Sequence, residues 1–127
     1  MKEGKVWGTT ETLLTTNTVE VHRIKINPRS YCSMHKHEFK WNMFYVIKGR
    51  LYIEVEKNNY DLTDVTELFQ GQHTSVKPNE FHRFFTKDEP VEALEVYYLN
   101  SISEDIVRKT VGGVEIAATH DGKQWVV

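Results

Sequence analysis

The sequence is short of the residues that would tie it to several common protein classes. It has a single cysteine, Cys32, in 127 residues, which excludes an intramolecular disulfide and a cysteine-based zinc cluster. It has no long apolar run and no signal-peptide pattern, since the N-terminus reads MKEGKVWGTTE and is polar. It has no excess of positive charge. A formal net charge of -2 removes the basic footprint of a nucleic-acid-binding domain. Repeats, low-complexity tracts and linkers are also missing. What remains is an ordinary globular composition, 39% hydrophobic and 27% charged. The length suits one domain over residues 1–127. The expectation is a cytoplasmic protein with neither nucleic acid nor membrane as partner.

The apolar pattern has period two almost throughout. In V-E-V-H-R-I-K-I-N-P, residues 19–28, Ile24 and Ile26 share one face while Arg23 and Lys25 take the other. N-M-F-Y-V-I-K-G (42–49) is β-branched and aromatic, Gly49 breaks it, and R-L-Y-I-E-V-E (50–56) resumes. Lys57-Asn58-Asn59-Tyr60 fits a hairpin turn. Further strands are expected within 61–69, 73–77, 81–85 and 91–99, with turns at Gly71, Pro78-Asn79-Glu80 and Asp88-Glu89-Pro90. Short strands with turn signals at such spacing predict an all-β sandwich or barrel. One short C-terminal helix is expected: Ser101-Ile102-Ser103-Glu104 fits a capping box, and Gly112-Gly113 would stop it. V-E-I-A (114–117) and Q-W-V-V (124–127), with Asp121-Gly122 between them, suggest a closing hairpin whose apolar strand could serve as a dimer edge.

The chemistry centres on M-H-K-H-E-F-K-W-N-M, residues 34–43. If this stretch is extended, His35 and His37 point to the same face. A lone H-x-H is usually a solvated pair. A third histidine, His82, follows a Gly71 turn, a short strand and Pro78, and three imidazoles could close a site for a divalent transition metal.

These motifs resemble the cupin superfamily. Its first motif runs H-x-H, a short gap, Glu, then Gly. Here His35-Lys36-His37 is followed by Asn42 and Gly49. Its second runs from a Gly turn through Pro-Gly-x-x-His. Here it is Gly71, Pro78, Asn79 and His82, with Asn in the usual Gly place, a mild change because Asn tolerates positive φ. A closer likeness is to the cupin domain of type II mannose-6-phosphate isomerases, through Trp7-Gly8, V-H-R-I-K-I (21–26), E-V-Y-Y (95–98) and S-E-D-I-V-R (103–108). The resemblance implies a double-stranded β-helix, or jelly-roll barrel. It implies His35, His37, the Asn42 position and His82 as ligands of one divalent metal: Fe, Mn, Ni or Zn.

Asn42 stands where the family has a carboxylate. Three outcomes follow. The centre is formed by three histidines with Asn42 as a weak ligand or a donor behind them, or Glu38 supplies the missing charge, or metal binding is lost and the pocket takes an organic ligand. The first is favoured, and strict alternation turns Glu38 away from His37.

Other candidates each have a plain structural alternative. His22 shares the face of Ile24 and Ile26 and could bind substrate, or be a hydrogen-bonded core histidine. Glu95 and Tyr97 share a face of the last long strand that could be the barrel interior, where Tyr97 is a candidate substrate-binding residue. A buried Glu95 would have a perturbed pKa and could transfer protons, or be half of an ion pair. Arg108 could hold a phosphate or carboxylate, or simply complement a helix end. Cys32, a strand step from Met34, should face away from His35 and serve packing. The functional expectation is a homodimeric metal-binding cupin acting on a small polar metabolite, isomerase-like on a sugar or sugar phosphate. The alternatives are a three-histidine iron enzyme of the dioxygenase type and a non-catalytic small-molecule-binding module.

Overall fold

Alternation sets one face of residues 19–26, 41–48 and 91–98 against a common interior. The computed structural model describes residues 1–57, 62–99, 105–115 and 125–126. Its strands are β1 (Lys2–Lys5), β2 (Gly8–Thr15), β3 (Val19–Ile26), β4 (Trp41–Lys48), β5 (Leu51–Lys57), β6 (Leu62–Leu68), β7 (His73–Val76), β8 (His82–Phe85), β9 (Val91–Tyr98), β10 (Val114–Glu115) and β11 (Trp125–Val126). A six-stranded sheet in the order β1-β2-β3-β9-β4-β7 faces a three-stranded sheet in the order β6-β5-β8. All pairings are antiparallel. This is the expected all-β jelly roll. Its core is built from Ile24, Phe44, Val46, Ile53, Phe84 and Ala93, with their neighbours. Each large apolar side chain so buried contributes roughly 1.5–3 kcal/mol.

The register places these residues in rows across β3, β9 and β4. Ile24 lies beside Ala93, which lies beside Val46. The next inward row is His22, Glu95 and Phe44, and the one after is Glu20, Tyr97 and Asn42. The interior therefore changes from apolar to polar along the strands, and the polar rows gather at one end of the barrel.

Two turns need backbone that few residues adopt. Gly49, between β4 and β5, has φ +92°, and a Cβ there would meet the Pro90 carbonyl oxygen at 2.5 Å. Asn79 has φ +67°, the left-handed conformation that Asn tolerates.

Several details differ from the sequence reading. The hairpin of β1 and β2 was not expected, because its threonines, lysines and glutamates show no apolar alternation. It is tied in by Trp7, whose ring packs edge-on against Phe84 at 4.9 Å. The expected short helix is absent among the described residues. Ser101–Glu104 lie outside them, and residues 105–113 are exposed and non-helical. A short helix with no face to bury has little to stabilise it. β5 and β6 are paired up to Lys57 and Leu62, so the hairpin forms, while Asn58–Asp61 lie outside the described residues. β10 and β11 pair antiparallel, and Asp121-Gly122 also lies outside. Among the described residues no helix is long and apolar enough to cross a membrane.

Candidate metal centre

The segment carrying His35 and His37 is not a continuous strand. Tyr31 and His35 make only isolated bridges, to Phe85 and His82. The bridge at His35 is reciprocal: its N–H donates to the His82 carbonyl at 3.0 Å, and the His82 N–H donates to the His35 carbonyl at 2.8 Å. The Asn79 N–H donates to the His37 carbonyl at 2.7 Å. Backbone bonds from the Pro78–His82 turn therefore fix both histidines of the H-x-H pair against the third. The positive φ of Asn79 is part of that clasp.

The three rings converge. Ring centroids are 4.7 Å apart for His35 and His82, 5.1 Å for His35 and His37, and 5.5 Å for His37 and His82. One nitrogen from each lies within 4.8 Å of the other two. Two of the remaining nitrogens are tied to backbone: His35 Nδ1 lies 2.7 Å from the Ser33 carbonyl, and His82 Nδ1 lies 2.9 Å from that of Glu80. A carbonyl only accepts, so His35 Nδ1 carries the proton and its Nε2 presents a lone pair, the arrangement of metal-binding imidazoles, and a proton on Nδ1 gives His82 the same form. His37 Nε2 is buried with no hydrogen-bond partner.

Protonation is disfavoured here. Burial, then the neighbouring His35, His82 and Lys40, push His37 down to about 4. Burial also lowers His82, against the pull of the Glu80 carbonyl. Both are neutral near pH 7, as metal ligands must be.

Asn42 is fully buried. Its Oδ1 lies 3.0 Å from His82 Nε2. With the His82 proton on Nε2 this is a hydrogen bond donated to Oδ1; with the proton on Nδ1 both atoms present lone pairs, which a cation between them would draw together. Two ligands at right angles on a metal, each about 2.1 Å away, stand about 3.0 Å apart. The convergence of the three rings, the orphaned His37 nitrogen, the His35 tautomer and the approach of Asn42 Oδ1 to His82 Nε2 together fit a divalent transition metal. Glu38 is exposed and takes no part in the cluster.

An open cavity of about 540 Å³ adjoins the cluster, lined by His22, Cys32, His35, Glu95 and Tyr97, with Trp7, Thr10, Thr12 and Lys5 from the β1–β2 side. Glu95 is buried. Burial raises its pKa, and the nearby polar groups of Tyr97, Asn42 and His22 partly oppose the rise. Burial and then Glu95 push Tyr97 upward too, so its hydroxyl remains a donor. His22 lies 3.2 Å from Thr12 Oγ1 on one side and 3.2 Å from Glu20 on the other.

Most of the residues singled out in the sequence thus meet at one end of the barrel: His35, His37, Asn42 and His82 in the cluster, and His22, Glu95 and Tyr97 on the adjoining wall. Arg108 is exposed and is not among the cavity residues. Cys32 corrects an expectation. Its segment is irregular, so alternation does not govern it, and it lines the cavity alongside His35. Its Sγ accepts the Phe84 N–H at 3.2 Å, and burial pushes the thiol up to about 11. It stays protonated, as a packing residue should. Trp7, Thr10, Thr12 and Lys5 were not singled out as wall residues. The Trp7-Gly8 pair was their one signal.

A family model described as a cupin domain matches residues 22–97, a span that holds the cluster and both Glu95 and Tyr97. No curated protein matches the sequence. Among solved structures, KdgF from Halomonas sp. superposes with TM-score 0.66 at 13% identity, over 78% of this chain and 84% of that one. Oxalate decarboxylase from Bacillus subtilis, a protein with Mn(II) centres, gives 0.70 at 14% identity, over 81% of this chain and 28% of its own. The cupin domain of Schizosaccharomyces pombe Cnp3 gives 0.63 at 7% identity, over 72% and 64%. At such identities the likeness is one of fold.

Proposed function

This chain belongs to the cupin domain family, and we propose that it is a metal-binding cupin acting on a small polar metabolite, isomerase-like on a sugar or sugar phosphate. The observation that carries the reading is the convergence of three imidazoles within 4.8 Å beside a cavity walled by a buried carboxylate. His35, His37 and His82 would hold the metal, with Asn42 Oδ1 as a neutral fourth ligand. Fe, Ni and Zn suit imidazole ligands, and Mn suits a carbonyl oxygen such as Asn42 Oδ1. The Mn(II) centres of the Bacillus subtilis relative by fold keep manganese among them. A bound divalent metal would polarise a carbonyl and its neighbouring hydroxyl. Glu95 would take the proton from the hydroxyl-bearing carbon and return it to the former carbonyl carbon, while the hydroxyl proton passes to the former carbonyl oxygen. Tyr97 would orient Glu95 by donating to it. His22, braced by Thr12 and Glu20, would hold a substrate hydroxyl. The sequence likeness to type II mannose-6-phosphate isomerases supports the sugar class. The same reading makes the protein a cytoplasmic homodimer.

One observation favours a second reading. Among the described residues the cluster contains no carboxylate, and a three-histidine iron site with open positions suits oxygen chemistry on a chelating substrate. Elemental analysis of untagged protein beside the His37→Ala/His82→Ala variant tests both. About one metal per chain, lost in the variant, is the expected result, and full occupancy in the variant would sink the site. Iron with O₂ consumption would select the second reading. Manganese, nickel or zinc without O₂ consumption would select the first. No metal even after soaking would leave a ligand-binding module.

A further inference from the structure

Asn42 is fully enclosed and only half used. Its Oδ1 faces His82 Nε2 at 3.0 Å, while its Nδ2 is buried with no hydrogen-bond partner. A buried amide N–H without an acceptor is costly, so an acceptor within reach matters. The register supplies one. Asn42 on β4 pairs with Tyr97 on β9, and Phe44 pairs with Glu95. Glu95 is therefore the diagonal neighbour of Asn42 on the same inward face, within reach of a side chain of that length. Glu95 is 8% exposed and lies outside the three-histidine group. The barrel thus holds a neutral amide where a carboxylate would be expected to ligate, and a carboxylate directly behind it.

We propose that Asn42 links the metal to Glu95, its Oδ1 ligating while its Nδ2–H donates to the Glu95 carboxylate. Glu95 then balances the metal charge from outside the ligand set, and toward the metal it acts through Asn42 as a positioning residue, beside its proposed part in proton transfer. The amide has one face for each partner. With a metal on Oδ1, the electron density drawn from the amide makes Nδ2–H a better donor, which strengthens its bond to a carboxylate. The carboxylate in turn fixes the amide so that oxygen, not nitrogen, faces the histidines. This inference rests on the three-histidine centre binding a metal, and it names the residue that sets how tightly.

The test is a double-mutant cycle on Co(II) affinity, measured by competition with a chelator and followed by the Co(II) absorption spectrum. Circular dichroism of each metal-free variant checks folding. Glu95→Gln is expected to weaken Co(II) binding about 10–100-fold, the usual effect of removing a group that orients a ligand. In an Asn42→Ala background the same change is expected to have less than about a twofold further effect, since its route to the metal is gone. In an Asn42→Asp background the sign should reverse. Two carboxylates side by side repel, so Glu95→Gln should tighten binding there. Equal affinity for wild type and Glu95→Gln, or the same loss with and without Asn42, would overturn the link while leaving the metal centre standing. Failure of the wild-type protein to take up Co(II) would overturn the centre and the link together.

Discussion

At the scale of single residues, the candidate site depends on imidazoles kept neutral by their surroundings. His37 is held at about 4 in the folded chain against an ordinary value of 6.5. The unfolded chain thus binds the proton more readily between those values. In metal-stripped protein the contribution of His37 to stability is full above pH 6.5 and is lost as pH falls through 4. His82 acts in the same direction. Glu95, raised by burial, acts in the opposite one, so the informative quantity is a difference between variants. The urea midpoint of chelator-treated wild type should fall more steeply from pH 7 to pH 5 than that of His37→Ala. Parallel slopes would mean that His37 is solvated in the metal-free protein. The identity of these residues was readable in the sequence. H-x-H, the Pro78-Asn79 turn and His82 stand at motif spacing, and the Asn42 exchange marks the departure. Their tautomers and the isolation of Asn42 Nδ2 were not readable, because they depend on carbonyls and neighbours from elsewhere in the chain.

At the scale of elements, two kinds of geometry hold the site. Strand register sets the rows that run from apolar to polar along β3, β9 and β4, and tight turns end the strands so that those rows stay aligned. Gly49 is the most constrained of these turns, since its φ of +92° and the Pro90 carbonyl at 2.5 Å leave no space for a Cβ. Gly49→Ala should therefore destabilise the protein by about 2 kcal/mol or more, read as a lowered urea midpoint. Metal content per folded chain should be unchanged, because the turn lies at the apolar end of the rows. An unchanged midpoint would show that the β4–β5 turn relaxes freely. Periodicity placed β3 through β9 well, as half-buried strands alternate. It could not reveal the β1–β2 hairpin, whose residues have little apolar face to alternate, nor the irregular course of residues 32–37. There the two histidines converge through backbone bonds to the Pro78–His82 turn rather than by alternation. The same reliance on local pattern produced the unsupported helix over 101–112: a cap and a stop specify where a helix could begin and end, but residues 105–113 have no surface to pack against.

At the scale of the whole molecule, the two motifs lie some forty residues apart in the chain and meet only when the barrel closes. A metal bound by both should stabilise the folded form, since the unfolded chain cannot hold the histidines together. At a free metal concentration a hundred times the dissociation constant, the gain is about 2.7 kcal/mol, which for a domain of this size raises Tm on the order of 10 °C. The expected result is such a shift for wild type and none for His37→Ala/His82→Ala. A shift of equal size in both would place the metal elsewhere. By itself the sequence determined the all-β class, the strands with alternating faces, the family likeness and the identities of the three histidines, because these are written in local periodicity and motif spacing. Only the tertiary structure decided that His35, His37 and His82 converge, and that Asn42 faces His82 and lies diagonal to Glu95 in the strand register. It also decided that Cys32 and the β1–β2 hairpin wall the cavity while Arg108 does not. Those relations are set by long-range register and backbone hydrogen bonds, which bring distant segments within a few ångströms and which no local pattern encodes.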